Sequence, residues 1–272
     1  MPASLSDDDI HQRLIEAIVD QRLLPGTKLV EDKLGQAFGV SRTRIRQVLI
    51  RLAQEQVVTI LPNKGASVAQ PTVQEAREVF EARSVIEAVL VKRFIERAKA
   101  LDLKALADCI DAEEAAREAG DHAMALRHSG QFHLLLAAAS GHATFEHFLR
   151  KLVSRTSLIL MSYAPVERQR ATPQAAPVRW VQACRCDEHR GLLTALRAAV
   201  KGNGKNNNKA ATKTSPDHAV ALMTSHLNHI EASLCFNQPA PPQDDFWQNL
   251  VDPVERGARA TPKPRGRVRS SP

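Results

Sequence analysis

Apolar residues recur at helical spacing from the start of the chain. Ile10, Leu14, Ala17 and Ile18 follow Ser6 and Asp9, which stand three apart as in a capping box. This predicts a first helix over residues 6–22, closed by the turn-forming Leu24-Pro25-Gly26. Leu29 to Phe38 reads as a short second helix, with Leu34, Ala37 and Phe38 apolar and Gly39 placed as a helix C-terminus prefers. Ser41 suits an N-cap, and Ile45, Val48, Leu49 and Leu52 then fall within about 60° of one another on a helical wheel. That third helix therefore has one core stripe. Its other faces carry Arg42, Thr43, Arg44, Arg46, Gln47 and Arg51.

The pattern changes after Leu52. Val57 to Leu61 and Ala66 to Val68 are β-rich runs around Pro62-Asn63-Lys64-Gly65, which predicts a hairpin. From Pro71 to about Cys235 helical spacing returns almost without break. Apolar positions Val79, Val85, Ile86 and Val89 open it. The runs 101–117, 126–139, 145–162, 187–200 and 218–234 continue it, giving six or so helices and an all-α bundle. Two stretches interrupt the bundle: the Pro/Arg/Gln-rich connection 165–177 and the Gly/Asn/Lys-rich loop 201–216. The expected fold is mainly α, an N-terminal winged helix-turn-helix with a small β-hairpin followed by an all-α helical bundle.

Composition narrows the class. The 272 residues fit one large domain or two modest ones, and 43% apolar content can bury a core. No apolar run approaches the roughly 18 residues that would span a bilayer, and the acidic opening MPASLSDDDIHQ is unlike a secretory signal, so a cytoplasmic protein is expected. The four cysteines, with Cys184 and Cys186 at C-x-C spacing, form neither a disulfide framework nor a zinc pair. Formal charge is +7, but residues 1–70 carry only +1 and 71–200 only +2. The excess lies in 201–214 (+4) and 253–272 (+5), so net charge alone is a poor argument for nucleic-acid binding.

The order of elements is the stronger argument. Three helices and a hairpin within 70 residues describe a winged helix-turn-helix, whose third helix fits the major groove and turns its polar face to base edges. The Lys64-Gly65 tip would reach the neighbouring backbone or minor groove. The competing reading is a generic three-helix scaffold with a solvated basic face.

The run Leu24-Pro25-Gly26-Thr27-Lys28-Leu29, Leu34, Phe38-Gly39-Val40-Ser41-Arg42-Thr43-Arg44-Ile45-Arg46-Gln47-Val48-Leu49, Leu52 and the Gly65 wing resembles the GntR family of bacterial transcription regulators. This chain departs from the family pattern with Gly35 for Ala, Arg44 for Pro, Gln47 for Glu and Gln56 for Gly. The resemblance implies DNA contacts by Ser41, Arg42, Thr43 and Arg46, with Gly65 at the wing. Arg44, Gln47 and Lys64 join them on or beside the exposed faces. An Arg that some members carry early in the second helix falls here on Asp32. Further on, Phe80-Glu81-Ala82-Arg83 with Glu87, Phe132-His133 with Ser140-Gly141, Glu188-His189-Arg190 and His226-Leu227 resemble the FadR-type FCD effector domain. Expected organisation is thus 1–70 DNA-binding, 71–236 effector-binding and dimerising, and 237–272 a disordered basic tail.

Many such effector domains hold a divalent metal through an Asp and three His. By that resemblance His133, His189 and His226 take the His positions and Ser129 the Asp position. Serine is a weak ligand for Zn²⁺ or Ni²⁺, yet three His with an open position still make a viable site for Zn, Ni or Mn. The alternative is that these histidines merely hydrogen-bond in a polar pocket. His122, His142, His147, His218 and His229 are read as structural or exposed. Arg83 and Glu87, at i, i+4, form either a helix-face ion pair or, for Arg83, an anchor for a ligand carboxylate. No carboxylate general base is evident beside the histidines, since Glu188 points about 100° from His189 along a helix. In the tail, Lys263-Pro264-Arg265-Gly266-Arg267 resembles an AT-hook core. The expected protein is a dimeric, non-enzymatic transcription regulator, a repressor of a pseudo-palindromic operator on double-stranded DNA, responsive to a small organic acid. The alternatives are a metal-dependent helical enzyme and an architectural DNA-binding protein using the tail.

Overall fold

The computed structural model describes residues 5–164, 186–203 and 215–237. The 165–177 connection, most of the 201–216 loop, Cys184 and the basic tail lie outside the described residues.

Helix α1 (Asp7–Val19) begins with the expected capping box: the Ser6 hydroxyl accepts from the Asp9 amide and the Asp9 carboxylate accepts from the Ser6 amide. Its face Ile10, Leu14, Ala17 and Ile18 is buried. A strand not anticipated from sequence follows, β1 (Lys28–Leu29), then α2 (Glu31–Phe38), so the second helix starts two residues later than its apolar spacing suggested. Two residues are too few to show alternation. β1 exists because β3 (Gly65–Val68) offers it an edge, with Lys28 opposite Ser67. With β2 (Val58–Leu61) the sheet is antiparallel in order β1-β3-β2.

Helix α3 (Arg42–Gln54) is capped by Ser41, and Ile45, Val48, Leu49 and Leu52 are all buried. The turn between α2 and α3 explains one departure from the family pattern. A Cβ on Gly35 would lie 2.9 Å from the Val40 carbonyl oxygen, so no side chain fits there without movement. Gln56 is less comfortable: it adopts φ 59 where the family pattern has Gly.

Six helices build the second core: α4 (Val73–Arg97), α5 (Ala100–Glu118), α6 (His122–Ser140), α7 (Ala143–Tyr163), α8 (Cys186–Asn203) and α9 (Pro216–Ala232). Helix α4 runs through the middle and meets α6, α7, α8 and α9. Two of the apolar positions that opened the helical period, Val85 and Val89, are 64% and 37% exposed. Buried instead are Val79, Phe80, Leu90 and Phe94, together with the charged Arg83 and Glu87, which occupy core positions that an apolar period cannot register. None of the described helices is long and apolar enough to cross a membrane.

The two cores touch. Leu158 and Met161 of α7 belong to the cluster formed by α1–α3 and the sheet. Asp20, just beyond α1, accepts two hydrogen bonds from the Arg127 guanidinium of α6, at 2.8 and 2.9 Å. The Tyr163 hydroxyl donates to the Pro71 carbonyl at 2.6 Å, fastening the connection into α4.

Candidate functional site

The polar faces of α3 present Ser41, Arg42, Thr43, Arg46 and Gln47, all exposed. Arg42 donates to Glu31 at 2.6 Å and lies 3.7 Å from Asp32, so the acidic start of α2 holds its guanidinium while leaving it open to solvent. Arg46 makes no hydrogen bond or ion pair among the described residues. Arg44 behaves differently from the sequence expectation that grouped it with the DNA contacts. It is half-buried, donating to Asp7 at 2.7 Å and to the Leu5 carbonyl at 2.7 Å, because the start of α1 passes close enough to capture it. Arg51 pairs with Asp8 in the same way. At the wing tip Lys64 and Gly65 are exposed, and Asn63 and Gly65 take positive φ values of 60 and 75 in the turn between β2 and β3.

The second set converges in the bundle. His133 from α6, His189 from α8 and His226 from α9 bring one ring nitrogen each to within 4.8 Å of one another, and all three are buried. Phe132 stacks on His189 with centroids 4.4 Å apart, fixing that ring. Each imidazole is tied at Nδ1 to a different carboxylate: His133 to Glu87 at 2.5 Å, His189 to Glu113 at 2.8 Å and His226 to Glu188 at 2.7 Å. An ionised carboxylate only accepts, so each Nδ1 carries a proton, and in the neutral rings of His133 and His226 Nε2 keeps its lone pair. The Nε2 atoms of His189 and His226 stand 3.2 Å apart.

Protonation follows from this packing. Burial brings His133 down to about 4 and His226 down to about 3, so both rings are neutral at neutral pH. Burial alone would raise the Glu87 carboxyl, but Arg83 and His133 beside it bring it down to about 2. Glu113 and Glu188 are likewise pushed up by burial and then held below the ordinary carboxylate range, by His189 with Arg117 and by His226 with His229. Of these carboxylate partners the sequence reading missed Glu113 altogether and gave Glu87 and Glu188 no role in holding the histidines. Glu188 was judged to point away from the histidines, but that holds only for His189 on its own helix. Across the bundle it accepts from both His226 and His229.

Arg83 is no solvated helix-face residue. It donates through Nε to Glu87 at 2.7 Å and through Nη1 to Thr156 at 3.2 Å, while Nη2 is buried with no partner. Arg83, Ser129, His133 and Thr156 line a small chamber of about 20 Å³. Ser129, at the position where the resemblance expects Asp, is buried one helical turn before His133.

Two sequence profiles match this chain: bacterial regulatory proteins of the gntR family over residues 7–68, and the FCD domain over residues 78–200. The chain belongs to the GntR family. Among its relatives, the HTH-type transcriptional repressor GlaR of Escherichia coli is 31% identical over 157 residues, covering 54% of this chain and 67% of GlaR. A transcriptional regulator of Streptomyces ambofaciens is 41% identical over 81 residues, 30% of this chain and 33% of that protein. The matched stretches thus span about a third to two thirds of these relatives' lengths. A GntR regulator structure from Rhodococcus superposes with TM-score 0.64 at 20% identity, covering 83% of this chain and 95% of that one. Escherichia coli McbR gives 0.63 at 19%, covering 84% and 98%. These relatives are transcription regulators, not enzymes, and so is this GntR-family protein with its FCD domain.

Proposed function

We propose that this regulator binds a pseudo-palindromic operator as a homodimer, represses transcription there, and responds to a small organic acid held in the bundle. Repression as the sense of control is supported by relatives named as repressors, GlaR among them. Recognition would fall to Ser41, Arg42, Thr43, Arg46 and Gln47 in the major groove, with Lys64 and Gly65 at the flank. Arg44 would act behind them, holding the start of α1 against α3.

One observation carries the ligand half of this reading: a buried Arg83 Nη2 without a partner beside three buried imidazoles that bring one ring nitrogen each to within 4.8 Å of one another. An orphaned guanidinium N–H is costly to bury and is satisfied by a carboxylate oxygen. The imidazole set fits a divalent metal. The Nε2 atoms of His189 and His226 face each other at 3.2 Å, and each of the three rings is oriented by a carboxylate on its Nδ1, as metal-bound histidines are. His133, His189 and His226 would hold Zn²⁺, Ni²⁺ or Mn²⁺. Such an ion would supply positive charge at the chamber. Leaving the imidazoles aside, Glu87, Glu113 and Glu188 outnumber Arg83 and Arg117 by one charge, so a divalent ion would invert the balance to favour one added carboxylate.

Metal analysis of untagged protein, together with melting curves in a panel of small carboxylates, tests this reading. The expected result is one divalent ion per chain, lost in His133→Ala. At 100 times its Kd an acid should add roughly 2.7 kcal/mol of stability, absent in Arg83→Met. Metal-free protein whose melting temperature no carboxylate moves would refute it.

A further inference from the structure

The chamber beside Arg83 is too small for the ligand assigned to it. Its 20 Å³ is room for about one water, whereas even acetate has four heavy atoms. The chamber must enlarge to be used, and its walls are not equivalent. Arg83 and Thr156 are backed by the packed core. On the other side, Leu126 and Gly130 of α6 and Val153 and Ser157 of α7 line the chamber and also line a cleft of about 690 Å³. Each pair is four residues apart on its helix, so the four form a seam about one turn long. A Cβ at Gly130 would stand 3.0 Å from Val153 Cγ1, so only a hydrogen and one valine methyl close the seam at that point.

The cleft lies between the two parts of the protein. Its far wall is α1, with Gln12, Ile15 and Glu16, joined by Glu55 just past the end of α3. Its near wall includes Lys151 of α7, half-buried and without an ion pair among the described residues.

We propose that the effector is an elongated dicarboxylate read across this seam. One carboxylate enters the chamber at Arg83, the aliphatic middle passes between Gly130 and Val153, and the distal carboxylate meets Lys151 in the cleft against α1. This rests on the chamber reading above and adds to it a ligand class and a coupling route. An occupant of the cleft touches the DNA-binding part directly, beside the Arg127–Asp20 pair that ties α6 to the end of α1. No distant relay is required.

The test uses the full-length chain and a homologous series of straight-chain diacids, malonate, adipate and sebacate, titrated calorimetrically. Ser154→Trp fills the cleft from α7 and Gln12→Trp fills it from α1, and neither residue lines the chamber. Lys151→Gln is a mild surface change that keeps the test valid should either Trp variant fail to fold. The expected result is that adipate and sebacate lose about tenfold in affinity in all three variants that fold, about 1.4 kcal/mol, while malonate changes less than twofold. Equal affinity of wild type and variants for sebacate would overturn the proposal, as would equal losses for malonate and sebacate. Should no diacid bind while a monocarboxylate stabilises the wild type and not Arg83→Met, the seam falls and the chamber reading stands. Should neither kind of acid bind, both fall.

Discussion

Removing the charge of Glu87 while keeping its shape should damage this protein more than any surface change. The carboxylate is fully buried and accepts from Arg83 at 2.7 Å and from His133 at 2.5 Å. In Glu87→Gln the amide can accept one of those bonds, but Arg83, 2% exposed, then keeps its positive charge with no anion in contact. Breaking one side of a buried ion pair costs about 3–5 kcal/mol, because the survivor's desolvation is no longer offset. For a protein of this size each kcal/mol moves the melting temperature by about 2–4 °C, so a fall of roughly 6–20 °C is expected. Thermal unfolding followed by circular dichroism would measure it. A double-mutant cycle sharpens the attribution. Arg83→Met with Glu87→Leu removes both charges, so it should melt higher than the sum of the single losses predicts, since two apolar side chains replace a pair that was expensive to bury. A Glu87→Gln protein melting within about 2 °C of wild type would show that Arg83 finds another anion or reaches water, and the electrostatic account of this core would be wrong.

Two further outcomes are expected. Arg46→Ala should weaken binding to operator DNA by about 1–3 kcal/mol at unchanged melting temperature, whereas Arg44→Ala should cost less affinity because its guanidinium is engaged by Asp7 and Leu5. Anisotropy titrations decide this, and equal losses would return Arg44 to the reading face. Gln56→Gly should raise stability by roughly 0.5–1 kcal/mol, the relief of a left-handed φ less the added freedom of the unfolded chain. A lower melting temperature would mean that the Gln56 side chain stabilises more than its backbone strain costs.

Sequence conveyed the DNA-binding part well because its signals are local. Ser6 with Asp9, Gly39, Ser41 and the stripe Ile45, Val48, Leu49 and Leu52 each act within one or two turns, and all took the positions their spacing predicted. β1 escaped because its cause, the free edge of β3, lies 37 residues further along, from Leu29 to its partner Ala66. The bundle was legible as helices but not as faces. Val85 and Val89 satisfy an apolar period yet face outward, while Arg83 and Glu87 break the period and face inward. The resemblance located the three histidines. Their carboxylate partners were not legible, since Glu113 meets His189 across 76 residues and Glu188 meets His226 across 38. No spacing rule connects such pairs, because packing of separate helices chooses them.

Helix α7 contributes to two interiors at once: Leu149 and Val153 pack inside the bundle, and Leu158 and Met161, further along the same helix, complete the core beneath α1. This sharing limits how freely such a regulator can be assembled from interchangeable parts. A DNA-reading head grafted from another protein would have to present a surface that accepts those two side chains, or leave them in water. The same continuity argues for a single melting transition rather than two, since unravelling the bundle removes part of the floor on which the head stands. Heads and sensors in such a protein are therefore expected to evolve as matched pairs, with α7 as the element on which the match is made.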